Sequence, residues 1–227
     1  GADMITSSSQ DTLATQITDI TSTYSGVTYN ATTGSFYKYV NSSVSWTTAD
    51  TAAVATVING VAGHLVQINN VTENSAMNTL AGGNDVWQGI NDTVTEGVFL
   101  MIGGPMNGIQ IWQGLGVDAG GANRNSAYTN WDTGTGPDNP DDGNGGGTQD
   151  YVLQDNGNLW RDYSNTNSDR YVIEWEGSLL LSADTTTTIN GGTGNDTITC
   201  GAGQEYIILA DWGAGNADTI NSYDKTD

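Results

Sequence analysis

Two long polar stretches on either side of Trp131 constrain the fold of this chain more than any other feature of its sequence. They run from Gly103 to Asn130, which is rich in Gly and Asn, and from Asp132 to Gln149, which is rich in Gly and Asp. Connections of that length are uncommon in compact domains and are usually either functional or disordered. Because the first stretch contains aromatic side chains and the second contains acidic ones, we interpret them as functional loops.

The excess of acidic residues indicates that bound cations hold these loops in place. The chain has 227 residues with 26 Asp plus Glu against 5 Lys plus Arg, a formal net charge of -21 at pH 7. The Asp residues cluster with Gly and Asn, and oxygen-rich loops of this kind supply the ligands of Ca²⁺. The same acidity also suits high solubility or adaptation to salty water. Five cations cannot form a basic patch, which argues against nucleic acid and anionic membrane surfaces as partners.

Cysteine and histidine are almost absent. One cysteine, Cys200, excludes an intrachain disulfide, so bound metal is the expected replacement. The one histidine, His64, falls in a predicted strand and is expected to be a packed core residue. A single histidine also argues against a Ser–His–Asp triad and against a histidine-based zinc site.

Composition divides the chain into three segments. Residues 1–26 form a Ser/Thr-rich flank with short β-type runs, 27–177 form the structured domain, and 178–227 form a Gly-rich segment. No apolar run approaches the ~18 residues that span a bilayer, and the first residues lack the features of a signal peptide. We therefore expect a monomeric module taken from a longer secreted chain, without direct membrane insertion.

Hydrophobic periodicity predicts few helices. Thr33–Val40 alternates like a strand, and Trp46–Ile58 has the apolar spacing of a helix. A second short helix is predicted from Thr72 to about Gly82, and no helix beyond Trp87.

The C-terminal segment contains one complete nonapeptide repeat. Gly191–Thr199 matches the pattern G-G-x-G-x-D-x-U-x at every fixed position, and Gly201–Gly203 and Gly213–Ile220 are degraded copies. It resembles the repeats-in-toxin (RTX) sequences, in which Gly permits tight turns and Asp and loop carbonyls hold Ca²⁺. The resemblance implies a calcium site at Gly192, Gly194 and Asp196.

The central segment resembles the C-type lectin-like family through an ordered series of motifs. In chain order these are Gly63–Ile68, Glu73-Asn74, Trp87–Asp92, Glu96–Phe99, Tyr128–Trp131, Gly136–Asp138, Asp150–Val152, Trp160–Asp162 and Tyr171–Glu174. They correspond to the family's G-x-L-V-x-I, E-N, W-I-G-L-x-D, E-G-x-F, Y-x-N-W, E-P-N or Q-P-D, E-D-C-V, W-N-D and Y-V-C-E. The implied fold is α+β, with two short helices, mixed sheets and long calcium-binding loops. Tyr151 and Ile173 replace disulfide cysteines, so apolar packing must take over from both bridges.

The resemblance implies two calcium sites. For the auxiliary site, oxygen ligands stand at nearly every family position: Asp92, Glu96, Asn139, the carbonyl of Gln149, and Asp150. The sugar site is eroded, because Gly136 and Arg161 replace two ligands. Asp138 and Asp162 survive there, and Asp141 and Asp142 could complete the shell. Trp112 and Tyr128 are the candidates for stacking on a sugar ring.

These observations predict a non-catalytic, calcium-dependent lectin module of a secreted bacterial surface adhesin that binds cell-surface glycans, of the fucose or mannose type. The eroded sugar motif leaves a second possibility open, a protein- or peptide-binding domain on the same fold. A structural spacer, an ice-binding surface and a hydrolase have less support from the sequence, and the hydrolase lacks a credible catalytic set.

Overall fold

The protein is described by a computed structural model that covers residues 4–6, 13–134, 139–141, 149–183, 187–190, 197–199, 205–208 and 219–221. The chain divides into two compact units. One comprises Tyr24–Ser178, and the other combines Gly1–Thr23 with Leu179–Asp227.

The described residues form four helices and seventeen strands. The helices are α1 (Leu13–Thr23), α2 (Trp46–Ala55), α3 (Val71–Leu80) and α4 (Gly177–Ala183), with a short 3-10 helix at Val117–Ala119. The strands are β1 (Met4–Thr6), β2 (Val27–Asn30), β3 (Ser35–Val44), β4 (Val57–Ile58), β5 (Val61–Ala62), β6 (His64–Leu65), β7 (Val86–Asn91), β8 (Val98–Met101), β9 (Gln110–Gln113), β10 (Ala122–Asn123), β11 (Tyr151–Gln154), β12 (Trp160–Tyr163), β13 (Asp169–Glu176), β14 (Thr187–Asn190), β15 (Thr197–Thr199), β16 (Glu205–Ile208) and β17 (Thr219–Asn221).

A mixed sheet of ten strands organises the Tyr24–Ser178 unit. Its main path runs β10-β9-β8-β7-β13-β3-β2, with β11 paired to β7 and β12, and β6 paired to β13. The neighbours are antiparallel except β13 and β7, which are parallel. Strand β13 is central, and its register against β3 runs from Asp169 opposite Val44 to Glu176 opposite Ser35.

The two predicted helices are present, and their N-termini are capped. Ser45 caps α2 by accepting from the backbone N–H of Thr48, and Asn70 caps α3 by accepting from Glu73 N–H. The Glu73 carboxylate in turn accepts from the backbone of Asn69 at 2.9 Å. This reciprocal arrangement satisfies amide groups that the first helical turn leaves without partners.

Two helices contradict the sequence prediction. The N-terminal flank, expected to hold β-type runs, contains α1, in which Leu13, Ile17 and Ile20 recur at helical spacing. Its threonines are accommodated because Thr18 and Thr21 hydroxyls donate to carbonyls four residues earlier. The expectation of no helix beyond Trp87 was also wrong, whereas the two short helices expected for the lectin-like domain are present as α2 and α3. Helix α4 carries a run of leucines, which are strong helix formers.

Aromatic residues fill the core of the Tyr24–Ser178 unit. The ring of Trp131 lies 5.2 to 5.9 Å from those of Phe99, Trp112 and Trp160, all in edge-on geometry. Three other buried indoles, of Trp46, Trp87 and Trp175, donate to backbone carbonyls. Tyr151, at one of the positions where the family carries cysteine, packs its ring 5.0 Å from that of Trp46.

The second unit contains short parallel strands in two sheets. Strands β1, β15 and β17 form one sheet, and β14 and β16 form the other. Consecutive strands after α4 therefore alternate between the sheets.

Candidate functional site

Four carboxylates lie near one another where β7, β11 and β12 are side by side. Asp92 follows β7, Asp150 precedes β11, Asp162 lies in β12, and Glu96 lies in the turn after Asp92. Tyr151 pairs with Asn91 across β11 and β7, and Asp92 N–H donates to the Asp150 carbonyl at 3.1 Å. We refer to Asp92, Glu96, Asp150 and Asp162 as the loop cluster.

Asp92 and Asp162 are the two buried carboxylates of the loop cluster, each with 2% of its surface exposed. The hydrogen bonding of Asp92 is incomplete. Its Oδ2 accepts from Gly97 N–H at 2.8 Å, whereas its buried Oδ1 has no hydrogen-bond donor among the described residues. Burial, together with the nearby charges of Glu96, Asp150 and Asp162, raises the pKa of Asp92 to about 8, despite the Gly97 hydrogen bond. Such a carboxylate is stabilised in its charged form by a cation.

The donor chemistry fits a hard cation. The side-chain oxygen of Gln149 is, like Asp92 Oδ1, buried without a donor among the described residues. Carboxylate and amide oxygens are the ligands that Ca²⁺ prefers. Within the described part of the chain, the loop cluster does not bring three carboxylate oxygens within 4.8 Å of one another.

Asp162 lies beside a tripeptide whose significance the sequence analysis missed. The backbone N–H of Asp141 donates to both carboxylate oxygens of Asp162, at 3.2 and 3.0 Å. Asp162 N–H donates to the side-chain oxygen of Asn139 at 3.4 Å. The sequence Asn139-Pro140-Asp141 has the same x-P-D form as Gly136-Pro137-Asp138, which lies outside the described residues. That repetition three residues later was the signal available in the sequence.

The charge of Arg161 is paired with two aspartates outside the loop cluster. Its guanidinium lies 2.8 Å from Asp132 Oδ2 and 3.0 Å from Asp155 Oδ2. It thereby links the segment after Trp131 to the turn after β11. Neither aspartate was singled out by the sequence analysis, because a salt bridge between distant segments leaves no local pattern.

The predicted site residues are distributed unevenly. Asp92, Glu96, Asn139, Asp141, Gln149, Asp150 and Asp162 lie in this region, whereas Asp138, Asp142, Gly192, Gly194 and Asp196 lie outside the described residues. The prediction that Trp112 faces a ligand was wrong, because the residue is 3% exposed and its indole N–H donates to the Gly114 carbonyl. Tyr128 is half-buried, with its ring edge-on to Trp160 at 5.7 Å, and its sugar contact stays a prediction.

A second acidic group lies on β6 and β13, away from the predicted sites. His64 Nε2 and carboxylate oxygens of Glu174 and Glu176 all lie within 4.8 Å of one another. The expectation that His64 is a packed residue is confirmed, since 5% of its surface is exposed. We refer to His64, Glu174 and Glu176 as the strand cluster.

Known proteins of similar structure include C-type lectins. The chain aligns with CEL-I from Cucumaria echinata at 19% identity and a TM-score of 0.50, covering 66% of this chain and 95% of that one. A mutant of the same lectin, the EPNH mutant, gives 18% identity and a TM-score of 0.51 over 66% and 94% of the two chains. This protein therefore has a C-type lectin-like fold of the α+β class.

One sequence relative is far longer than this chain. It is 24% identical over 245 residues to halomucin from Haloquadratum walsbyi (strain DSM 16790 / HBSQ001), an alignment that includes 93% of this chain and 3% of halomucin. The chain thus spans only a small fraction of that protein. No family model matches the sequence. Across the described residues, no helix combines the length and hydrophobicity needed to cross a membrane.

Proposed function

We propose that the Tyr24–Ser178 unit is a calcium-dependent, non-catalytic lectin module of a secreted surface adhesin, and that it binds cell-surface glycans. The observation that carries the proposal is the pairing of Asp162 with Asn139-Pro140-Asp141 beside the buried Asp92. In the resemblance described above, an x-P-x tripeptide and the acid of W-N-D are the two halves of the sugar site.

Two groups of residues would hold Ca²⁺. Asp92, Glu96, Asp150, Asn139 and Gln149 would bind a structural ion, and Asp141 and Asp162, with Asp138 and Asp142, would bind the ion at the sugar site. Calcium supplies coordination positions at which two neighbouring sugar hydroxyls replace water. The protein's carboxylates accept hydrogen bonds from the same hydroxyls, and the Asp141 N–H holds Asp162 in position.

The x-P-D tripeptide bears on the choice of sugar. In the family, E-P-N accompanies mannose, glucose and fucose, and Q-P-D accompanies galactose. The wider sequence resemblance favours a fucose- or mannose-type ligand. Asn139-Pro140-Asp141 ends in P-D, as the galactose motif does. Binding of galactose-type glycans should therefore be measured beside that of fucose- and mannose-type glycans.

Binding of a single sugar should be weak, with Kd of roughly 0.1–10 mM, because each hydroxyl displaces a water that it must replace bond for bond. Many copies on one surface would raise the avidity without any new contact. Weak single sites therefore suit an adhesin.

A glycan array with calcium and with chelator tests the proposal. We expect calcium-dependent binding by the wild-type chain and its loss in Asp162→Asn, because that change weakens the ion and removes a hydroxyl partner together. Asp118→Asn, which removes one exposed charge from the 3-10 helix, serves as the matched control and should bind like wild type. Folded Asp162→Asn protein that binds glycan like wild type would exclude this site.

The second candidate is a protein- or peptide-binding module on the same fold. It is favoured by Arg161, which stands where the family places a sugar-site ligand and is instead engaged with Asp132 and Asp155. A blank glycan array, combined with retention on immobilised cell-surface protein, would support this candidate.

We further propose that the second unit carries calcium-binding repeats of the RTX type. In the parallel sheet of β1, β15 and β17, Ile5, Ile198 and Ile220 are in register, as are Ile189 and Ile207 in β14 and β16. Ile198 occupies the apolar position of the complete nonapeptide. Asp196→Ala should remove the calcium-dependent protease resistance of this unit, and resistance unchanged by that substitution would contradict the proposal.

A further inference from the structure

We propose that His64 Nε2 and one carboxylate oxygen each from Glu174 and Glu176 bind a first-row divalent transition-metal ion, with Zn²⁺ as the best fit, which links β6 to β13. The site is separate from the loop cluster and does not depend on the proposed lectin function. A single histidine argued against zinc in the sequence, but the fold supplies two carboxylates next to it.

Strand pairing places the three side chains on one face. His64 is directly opposite Glu174 in the antiparallel pair of β6 and β13. Glu176 follows Glu174 by two residues in the same strand, and residues two apart in a strand point to the same side. The arrangement is therefore fixed by backbone hydrogen bonds rather than by a loop, which favours a preformed site.

The hydrogen bonding of the His64 imidazole leaves Nε2 available to bind a metal ion. His64 Nδ1 lies 2.9 Å from the Leu65 carbonyl oxygen, which can only accept, so Nδ1 carries the proton. Burial lowers the pKa of His64, so the ring is neutral near pH 7 and Nε2 presents a lone pair. A histidine that donates from one nitrogen to a carbonyl and uses the other for the metal is the usual arrangement in metal sites.

Nε2 has no hydrogen-bond partner among the described residues, although it is buried. The nearest carboxylate oxygen of Glu176 is 3.8 Å away, which is too long for a hydrogen bond. Two ligands each ~2.1 Å from a tetrahedral ion are ~3.4 Å apart. The observed separation thus needs only a small side-chain movement to accommodate an ion between the two atoms.

The glycine at position 104 keeps a side chain away from His64 Nε2. A Cβ atom on Gly104 would lie 2.8 Å from His64 Nε2 and 2.8 Å from the side-chain oxygen of Gln67. The Gln67 amide nitrogen donates to the carbonyls of Ile102 and Gly103, which positions this segment over the imidazole. Glu174 and Glu176 also line a cavity of about 180 Å³, from which water could supply a fourth ligand.

The charge balance at the site favours a cation. Glu174 is 3% exposed, and within the described chain no lysine or arginine nitrogen lies within 4.0 Å of it or of Glu176. Glu174 Oε2 accepts from Gln67 N–H at 3.0 Å, which orients the carboxylate but does not neutralise it. One nitrogen and two oxygen ligands suit Zn²⁺ and its neighbours better than Ca²⁺, which takes oxygen ligands alone.

The experiment uses the full chain, freed of metal with chelator and returned to millimolar Ca²⁺ so that calcium sites are occupied. Because His64 is the only histidine, an imidazole ¹⁵N spectrum contains the signals of one residue. We expect one equivalent of Zn²⁺ to shift the Nε2 signal while Nδ1 stays protonated, and calcium alone to leave both unchanged. An Nε2 signal that ignores Zn²⁺, or that responds to Ca²⁺ in the same way, would overturn the proposal.

Variants then test the carboxylates by equilibrium dialysis of Zn²⁺. Glu176→Gln is half-buried and should fold, and it should weaken binding by at least ~100-fold, since even outer partners of metal ligands contribute 10–100-fold. His64→Gln should abolish the stoichiometric site, whereas Asp118→Asn should leave the affinity within about twofold of wild type, because an exposed residue outside the site provides no ligand. Equal affinities in Glu176→Gln and wild type would contradict the assignment, even if His64→Gln failed to fold.

Discussion

The loop cluster and the strand cluster are two ways of burying carboxylates in the same unit. Asp92 in the first and Glu174 in the second are 2% and 3% exposed, and burial raises the pKa of each to about 8. In both clusters the neighbouring carboxylates add to the shift. Without a cation, both regions would lower the stability of the folded chain near neutral pH.

The clusters differ in what holds them. The loop cluster is positioned by strand ends and by loop segments from distant parts of the chain, so the proposed calcium ion would help to organise it. The strand cluster is positioned by the β6–β13 pairing and is organised before any ion binds. We therefore expect metal to contribute more to the order of the first region than to that of the second.

Removal of calcium should have the largest effect. We expect the melting temperature to fall by well over ~10 °C in chelator, because ion binding to the folded state adds directly to stability and the chain has no disulfide. Restoring Zn²⁺ alone should recover only a minor part of this loss. Calorimetry with each ion added back separately measures how much calcium and zinc each raise the melting temperature. An identical melting curve with and without calcium would contradict the prediction.

The pH dependence of stability should be the next largest effect. In chelator, the free energy of unfolding should fall as pH rises from about 6.5 to about 8. The folded protein keeps protons on Asp92 and Glu174 in this range, whereas the unfolded chain has released them near pH ~4. The unfolded state therefore binds fewer protons, and the slope is negative, at up to ~1.4 kcal/mol per pH unit for each group.

Metal ions should separate the two contributions to this slope. Calcium should flatten the part that belongs to Asp92, and Zn²⁺ the part that belongs to Glu174, because each ion favours the charged carboxylate. His64 contributes little, since its folded pKa lies below its ordinary value of 6.5. Urea titrations at several pH values provide the measurement, and stability that increases from pH 6.5 to 8 in chelator would be the contrary result.

Arg161→Met should have the smallest effect and should be confined to the loop region. Its guanidinium is 39% exposed, so loss of the two ion pairs should cost only about 1 kcal/mol of stability. Calcium affinity should fall a few-fold, because the segment after Trp131 loses its link to Asp155. Zinc affinity should not change. A double-mutant cycle with Asp155→Asn isolates the pair, and an equal loss of zinc and calcium affinity would show that the regions are coupled.

Sequence motifs predicted the scaffold well because the fold depends on local patterns. Helices α2 and α3 follow from apolar spacing and from their caps, and the C-type lectin-like fold follows from the order of the motifs. The same reasoning failed for α1, where the threonine content suggested strands although the aliphatic residues had helical spacing. It also failed for Trp112, because an aromatic residue within a long polar stretch can still point into the core.

The site was only partly predictable, for a physical reason. The sequence draws attention to Asp92, Asp150 and Asp162 because each stands next to a recognisable strand motif. The strand cluster joins residues more than a hundred positions apart through the register of β6 against β13. No local sequence pattern encodes that register. The same is true of the contacts that Arg161 makes with Asp132 and Asp155.

The parallel pairing of β1 with β15 has a mechanical consequence. Tension entering on the N-terminal side of β1 and leaving on the C-terminal side of β17 pulls parallel neighbours from opposite ends. Such a pull loads the ladder bonds of the sheet in shear, so that they resist together instead of opening one after another. Residues 24–178, which lie between β1 and β15 in the sequence, are bypassed by this load path. In this arrangement the strands that flank the inserted unit carry the force, and the unit itself is not stretched.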